Sequence, residues 1–121
     1  MNLQLTQIAD NLHPLVADIV KNYRGWLVGS ALLRLENFEE PKDYDFIIED
    51  REMYYEAVQY LRENATSESF SKEGAHKFRS QGIVIDIWCQ ELGLFLSQSK
   101  KISYILGRSR YSDELVIMKN I

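Results

Sequence analysis

A single acidic residue interrupts the most apolar segment of this chain and limits how that segment can be buried. Asp86 stands within the run IVIDIW, residues 83–88, whose β-branched and aromatic residues are typical of a strand. Burying an unpaired carboxylate in such a strand would cost several kcal/mol. We therefore expect Asp86 either to face water or to belong to a functional site.

Two further aspartates occupy alternate positions in a second strand-like segment, DYDFIIE, residues 43–49. Because strand side chains alternate, Asp43 and Asp45 project from one face, about 7 Å apart at their Cα atoms. Like charges this close repel each other unless a cation lies between them. Oxygen ligands without a nearby histidine or cysteine favour Mg²⁺ or Mn²⁺ over zinc. Three aspartates on two neighbouring strands suit a two-metal phosphoryl-transfer centre, so Asp43, Asp45 and Asp86 are the predicted catalytic and metal-binding residues.

A glycine and a serine end a third apolar run. The segment WLV, residues 26–28, followed by Gly29 and Ser30, is typical of a short buried strand that enters a turn. Ser30 suits the N-cap of a helix that continues to about Leu35. Free backbone N–H groups and the positive end of a helix dipole favour phosphate, so Gly29 and Ser30 are predicted to bind a nucleotide.

Periodicity and turn residues predict the other elements. The expected helices are one broken helix or two short ones in the first two dozen residues, with a start at Pro14, then one from the Asp50 cap to about Asn64, and a short one at 92–96. The expected strands are a hairpin with arms 75–79 and 83–88 around a turn at 80–82, and segments 102–106 and 115–118. Residues 66–74 are expected to be a loop with at most a short strand around Phe70. Together these elements predict an α/β (α+β) single domain over residues 1–121, a mixed β-sheet with helices packed mainly on one face.

Composition excludes several classes of protein. With 121 residues, 45% of them apolar and 26% charged, the chain is the size and composition of one globular domain. The net charge of −4 argues against a protein that coats duplex nucleic acid. Cys89 is the only cysteine, which excludes an intramolecular disulfide and a multi-cysteine zinc site. Neither a signal peptide nor an apolar run of membrane-spanning length is visible, so we expect a cytoplasmic protein without membrane contact.

The spacing of these motifs resembles the nucleotidyltransferases of the DNA polymerase beta superfamily. The segment LVGS at residues 27–30 is followed by twelve residues and then DYDF at 43–46, while IDI at 85–87 is similar to the third element of that signature. The resemblance covers residues 26–89. It implies that Gly29 and Ser30 hold the phosphates of an NTP, that Asp43 and Asp45 bind both metals, and that Asp86 ligates the catalytic metal and helps to deprotonate the acceptor.

Within the superfamily, the motifs look most like the head domain of tRNA CCA-adding enzymes and bacterial poly(A) polymerases. The usual second glycine is Ser30, and Leu33 and Arg34 replace an expected Arg-Asp pair. The neck and body domains that hold tRNA are absent from these residues, so CCA addition itself is not expected. The small size is similar to the minimal nucleotidyltransferases, which often work with a partner protein.

Several basic residues are candidates for phosphate and acceptor contacts. Lys77 and Arg79 alternate on the strand paired with that of Asp86, and Lys42 precedes the Asp43 strand, so these three are predicted to bind nucleotide phosphates. The segment from Lys100 to Arg110 also carries Lys101 and Arg108 without an acidic residue. If that segment lies beside the aspartates, it could guide an RNA end such as a tRNA terminus; a protein hydroxyl and a small molecule are the other acceptors.

Two functions therefore remain open at this point. The first is a metal-dependent nucleotidyltransferase that moves NMP from an NTP to a hydroxyl acceptor with release of pyrophosphate. The alternative is a non-catalytic nucleotide- or partner-binding subunit, such as the antitoxin-like member of a two-component toxin–antitoxin pair. Size motivates the alternative, because 121 residues leave little room for a separate acceptor domain.

Overall fold

The computed structural model describes residues 8, 11–98, 103–109, 111 and 113–120. In these residues the helices are α1 (Pro14–Asn22), α2 (Ala31–Glu36), α3 (Arg51–Asn64) and α4 (Leu92–Gln98). The strands are β1 (Trp26–Val28), β2 (Asp43–Ile48), β3 (Ser67–Phe70), β4 (His76–Ser80), β5 (Ile83–Cys89), β6 (Ser103–Arg108) and β7 (Leu115–Asn120). Among the described residues, no helix has the length and apolar character needed to cross a membrane.

All seven of these strands belong to one mixed sheet, in the order β3-β4-β5-β2-β1-β6-β7. The central strands β2 and β5 are parallel, whereas every other neighbouring pair is antiparallel. A parallel pair needs a crossover connection, and the chain between β2 and β5 supplies it through α3, β3 and β4. The predicted mixed sheet is therefore confirmed.

The two faces of the sheet are covered unequally. The inner face packs against α1, α2 and α3, and its core includes Leu27, Phe46 and Ile85, each no more than 2% exposed. On the outer face, α4 contributes Leu92 to a smaller cluster with Trp26 and neighbouring apolar residues. Most of the helical cover in the described residues therefore lies on one face, as expected.

Local signals in the sequence account for several element boundaries. The Asp50 carboxylate accepts a hydrogen bond of 2.9 Å from the backbone N–H of Met53 and so caps the first turn of α3, as predicted. The hairpin turn is shorter than expected: Gln81 and Gly82, with φ of 51° and 83°, form it alone, and Ser80 ends β4. Positive φ at both central residues matches the tight two-residue hairpin turns.

Other boundaries differ from the sequence-based expectation. β3 extends over four residues of the expected loop, because its backbone groups find partners on β4. Helix α4 continues two residues beyond the predicted end at Leu96. Pro14 begins α1 as predicted, and most of the expected helical segment before it lies outside the described residues, as does residue 102 at the expected start of the sixth strand.

Candidate functional site

The central parallel pair brings the predicted catalytic aspartates onto one face. Asp45 on β2 is the register partner of Asp86 on β5, and Asp43 pairs with Val84 one step along the same face. Side chains that are register partners on adjacent strands lie directly beside each other. The expected placement of the three aspartates on two neighbouring strands is therefore confirmed, while their chemical roles remain predictions.

The three carboxylates differ in exposure. Asp43 begins β2 and is exposed, Asp45 is half-buried, and Asp86 is only 8% exposed. Burial, together with the nearby charges of Asp86 and Asp43, raises the pKa of Asp45 to about 6, although the charge of Lys77 lowers it. A hydrogen bond between the carboxyl groups of Asp45 and Asp86 also raises this pKa. Keeping these carboxylates ionised in the folded protein therefore costs free energy.

This cost predicts how stability depends on pH. Because the pKa of Asp45 is higher in the folded chain than the ordinary value of 3.8, its contribution to stability is complete below about pH 4 and is lost as pH rises through about 6. The loss should reach about 1–2 kcal/mol, after a discount for the solvent that reaches a half-buried group. In chelator-treated protein, urea unfolding of wild type and Asp45→Asn should therefore diverge in the variant's favour between pH 4 and pH 7. Parallel stability curves over that range would contradict the assigned pKa.

Asp86 has a cross-strand counter-ion on the hairpin. Lys77 is its register partner on β4, and the lysine ammonium lies 3.0 Å from Oδ1 and donates a hydrogen bond of 3.2 Å to Oδ2. Although Oδ1 is that close, the contact is not aligned as a hydrogen bond, and this buried oxygen accepts none from the described residues. Asp86 is thus neutralised by Lys77 but keeps one unsatisfied oxygen.

The predicted phosphate turn lies directly against the carboxylates. Gly29 follows β1, whose last residue Val28 is the register partner of Asp45. A Cβ atom at position 29 would lie 2.7 Å from Oδ2 of Asp45, and φ at this residue is +81°. Glycine is therefore needed twice, for the left-handed backbone and for the close approach to Asp45.

Ser30 is exposed and stands at the N-cap of α2, but its side chain makes no capping hydrogen bond. The hydroxyl is therefore free of the local contact that the sequence predicted for it. Helix α2 has only six residues, so its dipole attracts anions less strongly than that of a long helix would.

The other residues predicted to bind phosphates are Arg79, Lys42 and Lys77, and only Lys77 pairs with an aspartate. Arg79 is exposed on the outer face, its register partner is Val84, and its guanidinium makes no ion pair within the described part of the chain. Lys42 is exposed just before β2, and its carbonyl accepts a hydrogen bond of 2.7 Å from Val84. Lys77 lies closest to the site, where it contacts a carboxylate rather than solvent.

No basic residue that the structure describes between residues 100 and 110 contacts the aspartates. Arg108 donates hydrogen bonds to the carbonyls of Lys21 and Asp113, and its guanidinium lies 3.7 Å from the Asp113 carboxylate. It is thereby held at the end of α1, on the inner face, away from the aspartates. Lys100, Lys101 and Arg110 lie outside the described residues.

The arrangement can hold a hard cation only with some adjustment. Within the residues that the structure describes, no three acidic, histidine or cysteine side chains converge closely enough to hold a metal ion. Asp45 and Asp86 are register partners, whereas Asp43 lies two residues before Asp45 on the same face. The mutual repulsion of the carboxylates is the feature that suits a divalent cation, although Lys77 already lies 3.0 Å from Oδ1 of Asp86.

Two cavities lie away from the aspartates. One of about 460 Å³ is lined by Phe38, Pro41 and Tyr44 on the inner-face side of β2. Another of about 580 Å³ lies between α4 and β7, with Trp26 and Met118 in its wall. The aspartates instead lie on the outer face, where Asp43 is exposed, Asp45 is half-buried and Asp86 is buried.

Comparison of the chain with family models, with curated proteins and with solved structures finds no match in any of the three.

Proposed function

We propose that this chain is a metal-dependent nucleotidyltransferase, which moves a nucleoside monophosphate from an NTP to a hydroxyl acceptor and releases pyrophosphate. The observation that carries the proposal is the register pairing of Asp45 with Asp86 on adjacent parallel strands, with the backbone of Gly29 packed against Asp45. An acidic pair beside a left-handed glycine turn suits a nucleotide triphosphate held by cations.

The carboxylates of Asp43, Asp45 and Asp86 would hold Mg²⁺ or Mn²⁺. Their oxygen donors are the type that these cations prefer, and the mutual repulsion of Asp45 and Asp86 supports a cation at this position. When bound, the metal would supply charge neutralisation at the triphosphate and lower the pKa of the attacking hydroxyl.

In the proposed reaction, the oxygen of the acceptor hydroxyl forms a bond to the α-phosphorus of the NTP. The bond from that phosphorus to the bridging oxygen breaks, and pyrophosphate leaves with its electron pair. Asp86 accepts the proton of the acceptor hydroxyl, a role that suits a carboxylate with an unsatisfied oxygen. Asp45, whose Oδ2 lies beside the turn at Gly29, would keep the bound metal close to the phosphates that the turn holds.

Residues around the aspartates would bind the rest of the substrate. The backbone at Gly29, the free Ser30 hydroxyl and the exposed cations of Lys42 and Arg79 would contact the phosphates. The acceptor would approach from the outer face, where Asp43 is exposed. An RNA end such as a tRNA terminus, a protein hydroxyl on a partner protein and a small molecule are the candidate acceptors.

Transfer of label from NTPs tests this function. The protein is incubated with each NTP labelled on the α-phosphate, with Mg²⁺ or Mn²⁺ and a cell extract that supplies acceptors. We expect one class of RNA, protein or small molecule to acquire label, and the same reaction with γ-labelled NTP to label only pyrophosphate. Label from the γ-phosphate in the acceptor would indicate a kinase, and an absence of label with every NTP and both metals would contradict catalysis.

One observation favours the second candidate, a non-catalytic subunit that binds a nucleotide or a partner protein, as an antitoxin-like protein does. Lys77 already neutralises Asp86 without a metal ion, which suits a domain that has no need of one. Calorimetry separates the two functions, because NTP binding without any turnover in the labelling assay would support the non-catalytic subunit.

A further inference from the structure

Lys77 lies in a row of outer-face residues that crosses the sheet through the candidate site. Ser69 on β3 pairs with Lys77 on β4, Lys77 pairs with Asp86 on β5, and Asp86 pairs with Asp45 on β2. The side chains of Lys77 and Asp86 are 23% and 11% exposed, so their ion pair is largely removed from water. The pair is therefore stronger than the exposed ion pairs on the same protein.

The two partners of this pair differ in their freedom to move. Asp86 belongs to a central strand and has a short side chain, so its carboxylate stays close to Asp45. Lys77 carries its charge on a flexible four-carbon stem on a strand whose outer neighbour is the exposed β3. When a second cation approaches, the ammonium is therefore the group that can leave.

We propose that Lys77 is a tethered counter-ion, which competes with the divalent cation for Asp86 and is released toward the phosphates of the nucleotide when the cation binds. This inference rests on the proposed function, because it concerns the same metal site. The ammonium contacts both oxygens of Asp86, at 3.0 Å and 3.2 Å, so a cation that uses those oxygens must displace it. When a triphosphate is present, its phosphates offer the displaced ammonium an anionic partner.

The device couples metal binding to nucleotide binding. Without nucleotide, a divalent cation has to break the Lys77–Asp86 pair and leaves an ammonium beside a second positive charge. With nucleotide, the phosphates neutralise both cations. The site therefore binds a free divalent cation weakly and a metal–nucleotide complex tightly. Without nucleotide, it stays largely free of divalent cation.

Titration of the purified protein with Mn²⁺ in the absence of nucleotide tests this role. Lys77→Met, which keeps the apolar stem and removes the charge, should tighten Mn²⁺ binding by about tenfold or more in calorimetry, because a competing like charge is gone. It should also lower the melting temperature of the chelator-treated protein, since Asp86 loses its counter-ion. A non-hydrolysable NTP analogue should strengthen Mn²⁺ binding markedly in wild type and much less in the variant.

Lys72→Met is the matched control. It makes the same chemical change at an exposed lysine in the turn between β3 and β4, which forms no ion pair within the described residues. Its Mn²⁺ affinity without nucleotide should equal that of wild type. If Lys77→Met fails to fold, Lys77→Gln keeps a hydrogen-bond donor for the buried carboxylate and should show the same gain in affinity.

The outcomes separate this inference from the function on which it rests. Equal Mn²⁺ affinity in wild type and folded Lys77 variants would overturn the counter-ion role and leave the metal site standing. If neither wild type nor any Lys77 variant binds Mn²⁺, with or without the analogue, the metal-dependent function fails and the counter-ion role fails with it.

Discussion

Replacing Asp86 with asparagine is expected to reduce nucleotidyl transfer by about 10³-fold, the equivalent of several kcal/mol of lost transition-state stabilisation. Asparagine has nearly the shape of aspartate, and its carbonyl still accepts the hydrogen bond from Lys77. The substitution removes a cation ligand and the proton acceptor while it preserves the strand. Initial rates with α-labelled NTP and saturating Mn²⁺ would measure the effect, and circular dichroism would establish that the variant is folded.

Asp113→Asn is the control for this experiment. Asp113 is exposed, pairs with Arg24 at 2.7 Å at the far side of the sheet, and has the positive φ of 57° that asparagine tolerates well. The same chemical change there should leave the transfer rate unchanged. If folded Asp86→Asn retained the rate of wild type, the assignment of Asp86 to the reaction would be wrong.

The largest expected effect on stability is that of Phe46→Ala. Phe46 lies on the central strand β2, is 0% exposed and packs in the core of the inner face. Truncating a fully buried phenylalanine costs about 3–5 kcal/mol, because transfer free energy is lost and a cavity is left. That is a large share of the about 5–15 kcal/mol that stabilises a typical domain. Urea unfolding followed by circular dichroism would measure the change.

Phe38→Ala is the matched comparison, since the same atoms are removed from a residue that is 96% exposed. Its stability should stay within about 0.5 kcal/mol of wild type. A large loss at Phe38 together with a small loss at Phe46 would mean that the inner-face core is described wrongly.

Much of the fold could be predicted from local features. The Asp50 cap and the start at Pro14 identify helix boundaries, because the groups involved lie within three residues of each other. Alternation along β2 places Asp43 and Asp45 on one face whatever the neighbouring strands are. The pairing of β3 with β4 was largely missed, because its four exposed residues carry no apolar pattern and are ordered by their partners.

The Lys77–Asp86 pair shows how one residue in a turn decides a contact. A two-residue turn at Gln81 and Gly82 places Lys77 directly opposite Asp86, whereas the expected turn at 80–82 gives no such partner. The signal was present in the Gln-Gly dipeptide, which suits a tight hairpin turn. Counting outward from that dipeptide would have identified the ion pair.

By itself, the sequence determined most of the strands and helices, with β3 the main exception, and which side of each strand carries the aspartates. These properties depend on backbone periodicity and on contacts between residues close along the chain. Only the tertiary structure decided that Asp45 faces Asp86, that Gly29 packs on Asp45 and that α4 packs near Trp26 on the outer face. The parallel pairing of β2 and β5 spans a crossover of helix and hairpin, so its register is set by how the whole inner-face core packs and by no local signal.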